Sequence, residues 1–145
     1  MVDAFDADVL IYAAARGHAL GRRVRALFVG APVEETGAAV GIGSVLLVPE
    51  LLSGPIREEA HDELVALAAL LGRLDLRPTY EATAELAVAL GASHRLTAAD
   101  AVHLATAVGA GADRFVTNNA RDFPRSITEI DVTYPSDLPE PRRRR

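Results

Sequence analysis

Met1-Val-Asp-Ala-Phe-Asp-Ala-Asp-Val-Leu-Ile-Tyr12 is the stretch on which the reading of the chain turns. A short strand-like run reaches Asp6, Asp8 follows two residues later, and the apolar residues Val9-Leu-Ile-Tyr12 open a helix. In an open α/β sheet, ligands bind beyond the carboxyl ends of the strands, where the strand order reverses. A carboxylate at the end of the first strand is therefore well placed to hold a metal or a phosphate ester. Asp6 or Asp8 can equally serve as a helix N-cap, a position that favours Asp. For one aspartate at one junction, capping is the simpler reading. Only distant acidic residues at similar junctions shift the balance.

Working outward, strands are expected over residues 2–5, 38–42, 74–76, 114–117 and 129–132. Asp3 is an awkward polar residue inside the first of them. Helices are expected over 9–15, 17–29, 44–52, 58–71, 80–90 and 97–108. Leu20, Val24, Leu27 and Phe28 recur at helical spacing, as do Ala60, Leu64, Leu67, Ala68 and Leu71. Gly30-Ala-Pro32 breaks the chain, and residues 33–43 are Gly-rich and ambiguous. Ser44 is a candidate cap with Pro49 near the first turn, and Ser53-Gly-Pro55 should end that helix. Gly72 and Gly91 should close the next two. Thr97-Ala-Ala-Asp100 resembles a capping box with Asp in place of the usual Glu. Strands separated by helical stretches predict an α/β fold: a three-layer α/β/α sandwich with a mainly parallel central sheet. One domain is expected over 1–134. A mobile tail is expected over 135–145, where Pro135, Pro139, Pro141 and four terminal arginines crowd together.

The 145 residues suffice for one domain with a sizeable core, and 50% of them are hydrophobic. No apolar stretch approaches the ~18 residues of a membrane span, and no secretion signal opens the chain. With no cysteine there is no disulfide framework and no thiolate metal site. A cytoplasmic protein without membrane contact is expected. All 15 basic residues are arginine, so a Walker A phosphate loop and Schiff-base chemistry are excluded. The net charge of −5 argues against a general basic nucleic-acid binder. It leaves room for an enzyme whose acidic pocket is neutralised by divalent cations.

Acidic residues stand at four separated places, each near an expected strand end or helix start: Asp6, Glu50, Asp100 and the segment 117–122. In a parallel sheet such positions can share one edge. Carboxylates gathered there would raise each other's pKa values, and a hard cation such as Mg²⁺ or Mn²⁺ would relieve the repulsion. The reaction class that follows is metal-assisted phosphodiester hydrolysis. The simpler readings are a solvated helix residue for Glu50, a cap for Asp100, and a surface pair with Arg121 or Arg125 for Asp122. His103, three residues after Asp100, is read as a packing or supporting residue, and His18 as a surface one. Arg16, Arg22, Arg23 and Arg25 are candidates for contacting RNA phosphates, against the alternative of a solvated helix face.

Phe5-Asp-Ala-Asp-Val-Leu-Ile-Tyr12, Ser44-Val-Leu-Leu-Val-Pro-Glu-Leu51, Leu96-Thr-Ala-Ala-Asp-Ala-Val-His-Leu-Ala-Thr-Ala107 and Phe115-Val-Thr-Asn-Asn-Ala-Arg-Asp-Phe123 follow one another in a recognisable order. Together they resemble the PIN-domain family, and within it the VapC-type toxin ribonucleases of bacterial toxin–antitoxin pairs. The resemblance implies a Rossmann-like fold and a Mg²⁺- or Mn²⁺-dependent endoribonuclease. It carries Asp6, Glu50 and Asp100 into the family's acidic triad, with Asp6 and Asp100 as principal metal ligands. Glu50 would complete the pocket and help position the attacking water. Asn119 or Asp122 would fill the fourth position, and Thr117 would support the site through its hydroxyl. The resemblance also implies an RNA substrate, a small cognate antitoxin and a homodimer. Two other classes stay open. One is a phosphatase of the haloacid dehalogenase type using Asp6, disfavoured by the missing lysine. The other is a non-catalytic PIN-like interaction module.

Overall fold

The structure, a computed structural model, describes residues 1–29 and 39–142. The break expected at 30–32, most of the Gly-rich stretch after it, and residues 143–145 of the arginine run lie outside the described residues.

Among the described residues, five strands form one parallel sheet: β1 (Asp3–Phe5), β2 (Gly41–Ser44), β3 (Leu74–Arg77), β4 (Arg114–Val116) and β5 (Asp131–Thr133). Six helices accompany them: α1 (Ala7–Ala14), α2 (Ala19–Val29), α3 (Leu47–Arg57), α4 (His61–Leu71), α5 (Glu81–His94) and α6 (Ala98–Gly109). The strand order is β3-β2-β1-β4-β5. The chain therefore winds outward from β1 on one side, then returns to lay β4 against its other side. The reversal falls between β1 and β4, and the carboxyl ends of these strands face the crevice it creates.

Alternating side chains send each strand into two cores. Ala4, Ile42, Phe115 and Val132 pack with Ala87, Leu90, Ala101 and Leu104 of α5 and α6. Phe5, Leu74 and Val116 pack with Val9, Leu10, Val24, Leu51 and Leu67 of α1 to α4. The sandwich thus has helices on both faces, as the strand–helix alternation predicts.

Asp3 is no longer awkward once β4 is beside it. Asp3 and Arg114 are register partners, and the guanidinium binds the carboxylate at 2.7 Å and 3.1 Å. Close approaches explain two glycines. A Cβ on Gly21 would lie 1.9 Å from the Tyr12 carbonyl oxygen, and one on Gly41 would lie 2.4 Å from that of Asp3. Only Gly lets α2 meet α1, and β2 meet β1, at these distances.

Several expected boundaries move. Ser44 ends β2 instead of capping α3; its hydroxyl accepts from the Leu46 backbone N–H at 3.1 Å. Ser53-Gly-Pro55 does not stop α3, which runs to Arg57 with Pro55 buried inside it. The actual break comes at Glu59, in the left-handed region at φ 54°. Gly91 also lies inside a helix, α5, where it faces Ala101 of α6. Residues 135–138, assigned to the tail from sequence, form a 3-10 turn at Pro135–Asp137 followed by a buried Leu138. Arg23 holds this turn by donating to the Ser136 and Leu138 carbonyls at 3.1 Å and 3.0 Å.

Candidate active site

Asp6 is the residue that leaves β1 and caps α1. Its backbone is extended (φ −84°, ψ 163°), and its N–H donates to the Val116 carbonyl of β4. One carboxylate oxygen accepts from the Ala7 N–H at 2.8 Å, and the other accepts from the Thr117 hydroxyl at 2.8 Å. Capping and pocket formation are thus performed by the same side chain. Thr117, fully buried, extends the network: its oxygen also accepts from the Asn119 N–H at 3.1 Å. Asn119 then engages Asp122 in both directions. Its amide donates to the carboxylate at 2.9 Å, and its carbonyl accepts from the Asp122 N–H at 3.2 Å. Asn119 and Asp122, alternatives for one role in the sequence, therefore stand together. Arg125 is not the partner of Asp122; it binds Asp137.

Asp100 sits in the first turn of α6. The Thr97 hydroxyl accepts from its N–H at 3.3 Å, which makes half of the expected capping box. Glu50 sits in the first turn of α3, with its carboxylate turned toward α6. There His103 Nε2 meets both Glu50 oxygens at 3.0 Å.

The electrostatics tie these elements into one pocket. The Asp6 carboxyl is pushed above its ordinary range, first by burial and further by Glu50, with Thr117 and His103 pulling the other way. Asp100 is pushed up by burial, then by Asp6 and by Asp122. Asp8, not among the site residues named from sequence, is raised to about 6 by burial, by Asp6 and by Asp100. Its Oδ2 accepts from the Asn118 N–H at 3.0 Å, while its buried Oδ1 has no hydrogen-bond partner. Signals were available: Asp8 lies one turn ahead of Tyr12 on α1, and the Tyr12 hydroxyl is held by Asn118 of the same loop.

This donor set suits a hard divalent cation. Every group is an oxygen donor, the carboxylates oppose one another's ionisation, and one buried oxygen is unsatisfied. Among the described residues, no three His, Asp or Glu side chains close into a ready-made cage. No described helix is long and apolar enough to cross a membrane.

Three of the four arginines that are candidates for RNA phosphates also contact the protein itself. Arg23 clasps the 135–138 segment, Arg25 donates to the Ala13 and Ala15 carbonyls at the end of α1, and Arg22 approaches Glu140 at 4.0 Å. Of the four, Arg16 stays exposed without such a contact among the described residues.

Asp8 carries a pH prediction. Its folded-state pKa lies above the unfolded value of 3.8, so the stability it contributes is complete below about pH 4 and lost by about pH 6. Asp8→Asn removes that loss. Without divalent cations the variant should be the more stable protein at pH 7, by on the order of 2 kcal/mol, and should lose this advantage at pH 4. Urea midpoints at the two pH values decide it; equal differences at both reject the assignment.

The family model described as PIN domain matches residues 4–126. A solved toxin–antitoxin complex from Klebsiella pneumoniae is similar at 24% identity with a TM-score of 0.69, over 93% of this chain and 98% of that one. The crystal structure of VapBC2 from Rickettsia felis, bound to a DNA fragment from their promoter, is similar at 15% identity with a TM-score of 0.67. That likeness covers 92% of this chain and 98% of the other. At such identities it is a likeness of fold. No curated protein matches the sequence.

Proposed function

Because this chain belongs to the PIN-domain family, whose members are generally nucleases that use divalent cations, we propose that it is a metal-dependent endoribonuclease. One observation carries the reading. Aspartates from the ends of β1 and the start of α6, with Glu50 from α3, are electrostatically coupled at the carboxyl edge of the sheet, beside the strand reversal.

Asp6 and Asp100 would hold Mg²⁺ or Mn²⁺, with Asp8 adding negative charge and Glu50 facing them. A cation bound there would stabilise charge on a phosphoryl oxygen and make water a better nucleophile. The protein's own share is positioning. Thr117 fixes one oxygen of Asp6 and leaves little rotational freedom to the other, which the Ala7 N–H holds. Asn119 and Asp122 brace each other and add a further carboxylate at the rim. Asp122 is the acidic member of that pair, since an amide such as Asn119 cannot serve as a base.

In the cell this activity would belong to the VapC-type toxin of a type II toxin–antitoxin pair, acting in the cytoplasm as a homodimer and silenced by a small antitoxin. The names of the two similar complexes support that placement. The test is direct. Purified protein should cut RNA with Mg²⁺ or Mn²⁺ and stop on addition of EDTA. Intact RNA under both metals, with structured and single-stranded substrates, would sink the proposal.

A further inference from the structure

We propose that His103 is the positioning residue for Glu50, holding its carboxylate to receive the proton of the attacking water. The inference rests on the nuclease reading above and adds a role for a side chain that supplies no metal ligand in it.

His103 lies on α6 and is only 3% exposed. It stands three residues after Asp100, so both look out from neighbouring positions of one helix surface. Its Nε2 lies 3.0 Å from each Glu50 oxygen, a contact that ties α6 to α3 across 53 residues of sequence. Its other nitrogen, Nδ1, is buried without a partner. Among the described residues Glu50 is the side chain this ring serves, and a hydrogen bond to a carboxylate requires the proton on Nε2. A histidine placed only for packing would not need to spend its single satisfied nitrogen on a carboxylate from another element.

The contact fixes Glu50 without exhausting it. A carboxylate offers about four acceptor positions, and one shared N–H occupies one on each oxygen. The Glu50 side chain remains 34% exposed, so its outer lone pairs stay open to water. His103 shares α6 with Asp100, one turn on, and the Glu50 charge is felt at Asp6, which puts the pair beside the pocket. In the reaction, the water oxygen forms a new P–O bond while the P–O bond to the leaving sugar oxygen breaks. The water proton passes to Glu50, and the departing oxygen is reprotonated from Glu50 or solvent. A base needs its acceptor oxygen held at hydrogen-bond range. Glu50 sits on a long, partly exposed side chain, and His103 supplies that restraint.

Four substitutions, two at His103 and two at Glu50, separate this role from packing. His103→Leu keeps the bulk and removes the donor; His103→Gln keeps an amide N–H near the Nε2 position. His103→Leu should lower kcat by roughly 10–100-fold, while KM and Mn²⁺ affinity measured by calorimetry stay within about threefold. His103→Gln should recover most of the rate. Added to Glu50→Gln, His103→Leu should cost almost nothing more, because the two act as a unit. In the ¹⁵N spectrum of the imidazole, Glu50→Ala should move the His103 Nε2 resonance, a readout available even if His103→Leu fails to fold. Wild-type kcat in His103→Leu overturns the proposal. So do equal losses in Leu and Gln, multiplicative losses with Glu50→Gln, or an unmoved resonance. Undiminished cleavage by Asp6→Asn would instead reject the nuclease site itself.

Discussion

Asp6→Asn should abolish the proposed RNA cleavage and leave the fold at least as stable as before. Substitutions one layer out from a bound metal typically cost about 10–100-fold. Asp6 is proposed as a ligand, and it sits where the network through Thr117 and Asn119 converges, so a larger loss is expected. Stability moves the other way. The Asp6 carboxyl is raised by burial, which means the charged form is strained in the folded protein. Its contribution is fully present at acidic pH, below its unfolded value of 3.8, and declines as pH rises through the folded value. Asn is neutral throughout, can still accept from Ala7 or Thr117, and carries no such penalty. At neutral pH without divalent cations, Asp6→Asn should melt no earlier than the wild type. Adding Mn²⁺ should raise the wild-type melting temperature and leave the variant unmoved, because only the protein that binds the ion gains by mass action. Retained cleavage, or an equal Mn²⁺ shift in both proteins, would remove Asp6 from the site.

Arg114→Leu should cost about 3 kcal/mol of stability. Asp3 and Arg114 face each other across neighbouring strands, with side chains 11% and 20% exposed. Removing one member of a buried pair strands the other charge, at a cost of roughly 3–5 kcal/mol. Partial access of water to Arg114 places the expectation at the lower end. Arg114→Lys should recover only part of the loss, since an ammonium cannot reproduce the two parallel hydrogen bonds. The double variant Asp3→Leu/Arg114→Leu should return close to wild type, because two apolar residues leave no charge unpaired. Urea unfolding measures all three. A single variant as stable as the parent would mean the pair contributes nothing.

The same pair marks the boundary of what sequence can reveal. Helices α2, α4 and α6 were legible because their apolar residues recur at 3.6-residue spacing, a local property. The parallel sheet followed from alternation of element types. Asp3 inside a strand could be recognised only as an oddity, because its partner is 111 residues away. Pro55 and Gly91 were read as helix stops, which is their usual effect in isolation. Here the helices run on through both, with Pro55 buried against neighbouring elements and Gly91 facing Ala101 of α6. For the candidate site, residue types and order pointed to Asp6, Glu50, Asp100, Thr117, Asn119 and Asp122. What brings them into one network is tertiary: the Thr117 hydroxyl on Asp6, and Asp122 within electrostatic reach of Asp100. Spacing along the chain could not show that His103 faces Glu50, because the two belong to different helices. Nor could sequence show that Arg23 and Arg25 of α2 bind the protein's own carbonyls, or that Arg22 approaches Glu140.

The late return of the chain to the flank of its first strand has a consequence for biosynthesis. Asp6 emerges from the ribosome almost at once, yet the hydroxyl that fixes it lies 111 residues downstream. Until that stretch is translated and inserted, β1 lacks a neighbour on one side and the crevice has no second wall. Fragments that end before residue 117 should therefore lack the assembled crevice, and the site is complete only once the polypeptide beyond β4 has been made.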